Sequence, residues 1–140
     1  VQRISGSIGY VEFAYALQNK MTYALLQNRA GEFVSPTIES FQAAAANADW
    51  KDAPGFYMVL TDQPGAASWP ITGASFIMLY KRQPDFEHSR DLLKFFDWCL
   101  RHGQDMATEL EYVPMPTNVV ELIEATWRTD ISSDGKPVWQ

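Results

Sequence analysis

Cys99 is the only cysteine in the 140 residues, so no internal disulfide can form. The redox compartment therefore cannot be read from cysteine usage. Histidine is nearly as scarce, with only His88 and His102 present, and a zinc site built on Cys99 and His102 would need further ligands. Basic residues are outnumbered, 11 Lys and Arg against 17 Asp and Glu, giving a net charge of −6. That balance argues against a surface for nucleic-acid phosphates, which needs Lys and Arg in excess. It leaves open the binding of a small anion, because backbone N–H groups and helix N-termini can hold one without net positive charge. No apolar run approaches the ~20 residues of a membrane span. Charged residues make up only 20% and no low-complexity block or internal repeat is present, which excludes a disordered chain or a solenoid. The sequence begins Val1-Gln-Arg-Ile4, without a methionine or a signal-peptide pattern, so processing or a shortened upstream part is expected.

What is present is enough for one packed domain: 46% of residues are hydrophobic and 14% aromatic. The stretch Trp69-Pro-Ile-Thr-Gly-Ala-Ser-Phe-Ile-Met-Leu-Tyr80 organises the reading. Residues 76–80 are continuously apolar, bounded upstream by Pro70 and Gly73 and downstream by Lys81-Arg82-Gln83-Pro84. A short uninterrupted run closed by breakers predicts a strand buried on both faces, the centre of an α/β layer covered by helices.

Around it the pattern is mostly helical. Residues 12–20 can turn helical and 21–27 read as extended, followed by a turn at Asn28-Arg-Ala-Gly31 and a strand-like Glu32-Phe-Val34. Ser35-Pro36-Thr37 predicts a helix start, with Ser35 as N-cap and Pro36 in the first turn, and Ile38, Phe41, Ala45 and Ala48 on one face. Two Pro-Gly pairs, at 54–55 and 64–65, flank a strand-like Phe56-Tyr-Met-Val-Leu60. The strongest helix, capped by Asp85 or Ser89, carries Leu92, Leu93, Phe95, Phe96, Cys99 and Leu100 and ends at Gly103. A shorter helix over 104–110 follows. Asn118 with Glu121 resembles a capping box for a last helix bearing Val119, Val120, Ile123 and Trp127, and Asp134-Gly135 marks a final turn.

Candidate chemistry is thin. Cys99 and His102, spaced i, i+3, could be a nucleophile and base or half a metal site, but apolar packing for Cys99 and a helix-end role for His102 explain them more simply. Asp85, Glu87 and Asp91 beside His88 read as a solvated helix start, since paired-carboxylate catalysis needs a pocket. The residues from Asp130 to Asp134 lack calcium-loop spacing. The turn Ser5-Gly-Ser-Ile-Gly9 is a poor phosphate cradle, because no Lys-Ser/Thr follows. Of the tryptophans Trp50, Trp69, Trp98, Trp127 and Trp139, Trp98 and Trp127 are expected in the core. Residue chemistry alone thus gives a binding or structural domain, with no catalytic, cofactor or metal residue.

Read in order, however, the motifs resemble a known family. Gly6-Ser-Ile-Gly-Tyr-Val-Glu-Phe-Ala-Tyr-Ala16, Val34-Ser-Pro-Thr37, Ala48-Asp-Trp50, Trp69-Pro-Ile-Thr72 and Leu93-Lys-Phe-Phe-Asp-Trp98 are similar to the phosphate-binding protein of bacterial ABC phosphate importers. Val119-Val-Glu121, Ala125-Thr-Trp127 and Asp134-Gly-Lys-Pro137 continue the likeness to the C-terminus. The resemblance implies a periplasmic protein of the two-lobed (type II) binding-protein fold, more than twice this long, of which this chain matches only the C-terminal portion. Lipid anchoring would depend on sequence upstream. Residues 1–16 would finish the second lobe and begin the return crossing, and 17–140 would be the C-terminal part of the first lobe. The strand over 71–80 then has neighbours made earlier in the chain.

The resemblance also implies where phosphate is held: by a Thr-Phe pair, a Ser, an Asp, an Arg and a Ser-Gly-Thr helix start, all upstream of Val1. None of these roles transfers to a residue here. Ser5-Gly6-Ser7 matches a turn rather than that loop, and Arg3 and Arg29 match no ligand arginine. The implied partners are inorganic phosphate, the N-terminal remainder of the same protein and the membrane permease, with no enzyme activity. Two alternatives are a related oxyanion-binding or phosphate-scavenging lipoprotein of the same fold, and a small enzyme using Cys99 and His102.

Overall fold

A computed structural model describes residues 3–140; the first two residues of the segment expected to end a second lobe lie outside it. The chain is mixed helix and strand, consistent with α/β, but helix dominates among the described residues. In order, the elements are α1 (Phe13–Gln18), β1 (Leu26–Gln27), β2 (Phe33–Val34), α2 (Ile38–Ala46), 3-10 turns at Trp50–Asp52 and Pro54–Phe56, α3 (Phe86–His102), α4 (Gln104–Glu109), α5 (Thr117–Asp130), β3 (Ser132–Ser133) and β4 (Lys136–Pro137).

Both strand pairs are two-residue antiparallel ladders: Leu26 opposite Val34 and Gln27 opposite Phe33, then Ser132 opposite Pro137 and Ser133 opposite Lys136. The second closes through Asp134 and Gly135, both at positive φ (49° and 76°), as expected of the tight hairpin turn whose twist suits the flanking strands.

The helix starts correct the capping assignments. Thr37, not Ser35, caps α2: its Oγ1 accepts from Ser40 N–H at 3.2 Å while Ser40 Oγ accepts from Thr37 N–H at 2.9 Å. This reciprocal pair satisfies two orphan donors at once, which a cap at Ser35 would not. Asp85 caps α3, its Oδ1 accepting from His88 N–H at 2.7 Å. The capping box read at Asn118 does not form, because the N-cap of α5 is Pro116, two residues earlier, and Asn118 already lies in the first turn. The Asn118 amide instead donates to the Ala46 carbonyl at the end of α2, at 3.3 Å.

Burial is organised about α5 rather than about a central strand. Val119, near its start, packs with Ala45, Ala48, Trp50 and Leu60. Trp127, near its end, packs with Leu93, Ile131 and Val138, and Ile123 touches both clusters. A third contact line is aromatic: Phe13 meets Phe41 (centroids 5.5 Å apart), which meets Trp69 (6.1 Å), drawing α1 and the 64–69 loop onto α2. Offset and tilted rings at these spacings are favourable beyond simple burial.

The predicted central strand is the main correction. Residues 72–80 form no strand, and Phe76, Ile77, Met78 and Tyr80 are exposed by 51%, 64%, 93% and 83%. Residues 57–60 likewise form no strand, although Leu60 is buried while Tyr57 and Val59 are exposed. An apolar run becomes a buried strand only when neighbours satisfy its backbone and helices cover its faces, and the described residues give this one no ladder and pack only Ala74 and Leu79 against the core.

Candidate functional site

The best-knit polar structure is a clasp that sequence reading missed. Asn28, buried in the turn between β1 and β2, donates its amide to the carbonyls of Ala66 (2.8 Å), Ser68 (3.2 Å) and Gly65 (3.3 Å). Its Oδ1 accepts from the N–H groups of Ala30 and Glu32, both at 3.0 Å. The gripped loop is held again by Ser68, whose hydroxyl donates to the Pro64 carbonyl at 2.6 Å and accepts from the Asn47 amide at 3.3 Å. Trp69 N–H donates to the Ser40 carbonyl at 3.0 Å. Gly65, at φ 108°, must be glycine here, because a Cβ would collide with the Asn47 amide. The Asn-x-x-Gly turn was legible, but not its partner 37 to 40 residues away.

A second missed feature is the carboxylate of Glu124, 5% exposed on α5. Arg101, from the last turn of α3, contacts Oε1, and Arg128, one turn along α5, lies 3.6 Å from Oε2. The hydrogen bond and charge of Glu124 hold the Arg101 guanidinium above its usual range, with a smaller contribution from Asp97. The i, i+4 spacing of Glu124 and Arg128 was visible in the sequence; the approach of Arg101 needed the packing of α3 on α5.

The residues singled out for chemistry fall into place without making a reaction centre. Cys99 is half-buried and has no hydrogen bond to His102, whose ring lies 6.4 Å from that of Trp98. Glu87 pairs with Arg90, and Asp91 with Lys94 at 3.1 Å, on an exposed helix face. Asp130 pairs with Lys81 at 2.7 Å, and hydrogen bonds from Lys81 and Thr129 hold its carboxyl below the ordinary range. Gly6 has open space around it rather than a cradle. Among the described residues no group of His, Cys, Asp and Glu is arranged to hold a metal. Trp50, Trp69 and Trp127 are buried, but Trp98 is 46% exposed. It lies on the side of α3 away from Leu93, so the core position expected for it is corrected. One cleft, of 450 Å³, opens between the 50–56 segment and α5, lined by Lys51, Asp52, Thr126, Thr129 and Asp130 over Trp50 and Phe56. It brings two carboxylates, one ammonium and two hydroxyls to its walls, with the Asp130 carboxylate already paired to Lys81.

What the surface offers instead is apolar area: the 76–80 run, Tyr10 and Ile8 before α1, and Phe95 with Met106 and Leu110 along α3 and α4. Such patches mark contact surfaces rather than reaction sites. No helix among the described residues is long and apolar enough to cross a membrane.

No family model matches the chain. Individual proteins do, and those about half identical to it are binding proteins, while a putative serine/threonine-protein kinase/receptor of Acanthamoeba polyphaga mimivirus is 26% identical over 93% of this chain and 8% of its own length. The homologues at about 50% identity over essentially the whole of this chain are PstS phosphate-binding proteins. The phosphate-binding protein PstS of Pasteurella multocida (strain Pm70) is 52% identical over 141 residues, covering 100% of this chain and 41% of its own length. PstS of Xylella fastidiosa (strain Temecula1) is 53% identical over 93% of this chain and 36% of its own, and that of Haemophilus influenzae is 50% identical over 94% and 39%. The chain thus spans about two fifths of the length of these curated relatives.

Proposed function

We propose that this chain is the C-terminal segment of the solute-binding component of a phosphate ABC importer, a periplasmic protein that binds inorganic phosphate and delivers it to the permease. The observation that carries this reading is the identity of about half, along essentially the whole chain, to proteins named for phosphate binding. In this reading residues 17–140 belong to the first of two lobes, and residues 1–16 finish the second and start the return crossing. The segment is scaffold: it carries no phosphate ligand, cofactor or catalytic group.

The ligands supplied by the rest of the protein would grip a dehydrated phosphate through backbone N–H groups, hydroxyls and an arginine. A carboxylate that accepts the ligand's proton would favour protonated phosphate over fully ionised sulfate, which would leave that carboxylate facing an acceptor. Closure of two lobes about the crossing segments would then shut the site and shape the surface offered to the permease.

Calorimetric titration tests this. The 140-residue chain alone is expected to show no micromolar one-to-one binding of phosphate, and the same chain joined to the remainder of a PstS relative is expected to bind one. Micromolar binding by the isolated chain overturns the scaffold role. A folded joined protein that ignores phosphate overturns the function.

A further inference from the structure

Three main-chain carbonyls of one loop converge on a single point. The oxygens of Ala66, Ser68 and Gly65 lie 2.8, 3.2 and 3.3 Å from Asn28 Nδ2. A primary amide has two hydrogens, so three acceptors surround a group that can serve only two of them well. Among the described residues the Ala66 and Ser68 carbonyls accept no other hydrogen bond, and that of Gly65 accepts one, from Ser68 N–H at 3.2 Å. The place is enclosed, with Asn28 and Ser68 both buried.

The loop has other ties that hold this shape. The Ser68 hydroxyl donates to the Pro64 carbonyl at 2.6 Å and accepts from the Asn47 amide at 3.3 Å. Trp69 N–H donates to the Ser40 carbonyl at 3.0 Å, and Gly65 supplies the bend at φ 108°. Ser40 lies in α2 and Asn47 caps its end, so the loop is fastened to a helix rather than to the 28–31 turn alone. The three oxygens therefore stay gathered when the side chain at position 28 is changed.

Converging carbonyls are what proteins use to replace the hydration shell of an alkali cation. The spacing selects the size. These oxygens are farther from their centre than the about 2.0–2.1 Å of Mg2+ or the about 2.3–2.6 Å of Ca2+. All three are neutral, which favours one charge over two. The amide nitrogen, with its two partly positive hydrogens, stands where such an ion would sit. A net charge of −6 also draws cations toward the chain.

We infer that the Gly65–Ser68 loop is a binding site for a monovalent cation of potassium size, which the Asn28 side chain fills as a built-in occupant. Ion and amide exclude one another, so the site takes the ion when the amide is withdrawn. The inference is independent of the phosphate-binding reading, because it uses only the loop and the turn that plugs it.

Thermal unfolding in potassium chloride against choline chloride at equal ionic strength tests it, since choline is too large for the nest. Asn28→Ala is expected to melt about 2–4 °C higher in potassium than in choline. The unsubstituted chain, its nest filled, is expected to melt at one temperature in both salts. Asn28→Asp carries the test where the alanine variant does not fold. It keeps an acceptor for the Ala30 and Glu32 N–H groups and sets a carboxylate against the nest, so at neutral pH it should gain at least as much from potassium. Equal midpoints in the two salts for the folded variants overturn the inference. An equal potassium gain in the unsubstituted chain overturns it too, because the ion then acts elsewhere.

Discussion

The Arg101 guanidinium lies against the Glu124 carboxylate, joining the last turn of α3 to the middle of α5. The pair is asymmetric, since the Glu124 side chain is 7% exposed and that of Arg101 is 41% exposed. Removing Arg101 leaves the buried charge with only the longer contact to Arg128, 3.6 Å from Oε2, while removing the carboxylate leaves arginines that water can serve. Arg101→Met is therefore expected to lower the thermal midpoint more than Glu124→Leu does. The double substitution should recover most of the loss, as measured by thermal unfolding of the three variants.

Asn28→Ala should destabilise by about 2 kcal/mol or more, because it leaves buried carbonyls and N–H groups unpaired. Asn28→Asp adds a pH signature. A carboxylate facing the Ala66 and Ser68 carbonyls is disfavoured, so its folded-state pKa would lie above the unfolded value. With a raised pKa, the variant should be most stable at low pH and lose stability as pH rises through the carboxyl range. Urea midpoints across pH check both variants.

Asp130 shows the opposite sign. Its pKa is lowered by hydrogen bonds from Lys81 and Thr129, so its contribution is complete above the unfolded value of 3.8 and is lost as pH falls through the depressed folded value. Glu39, lowered by its own backbone N–H and the Thr37 hydroxyl at the start of α2, acts in the same direction above 4.5. Lys81→Met is expected to flatten the acid limb of stability against pH, a difference visible in unfolding curves between those values and more acidic solution.

Leu93→Ala should cost about 2–5 kcal/mol, because Leu93 is 1% exposed between α3 and α5. Phe95→Ala, two residues along the same helix but on its open side, should change stability of the isolated chain by less than about 0.5 kcal/mol. Equal losses from the two would mean that the open side of α3 is covered in the chain by itself.

The amphipathic pattern of α3 was legible from Leu92 to Leu100, as were Asp85 at its start and Gly103 at its end. Those are local signals, spaced by the helical repeat and by capping chemistry. Thr37 was overlooked as a cap because Ser35-Pro36 matches the same pattern two residues earlier, and only the Ser40 hydroxyl decides between them. Trp98 was misplaced because the apolar stripe of α3 is wider than the strip α5 covers. No ligand contact was legible among the residues of this chain; the likeness to PstS proteins was.

From its amino acids alone, this chain determines which segments turn helical, where they stop and to which proteins it is kin. It also determines that the run over 76–80 is apolar on both faces, a fact of composition that no packing can alter. Tertiary structure decides whether that run is buried. A strand, unlike a helix, takes its hydrogen-bond partners from elsewhere in the chain, and the described residues have none to give it.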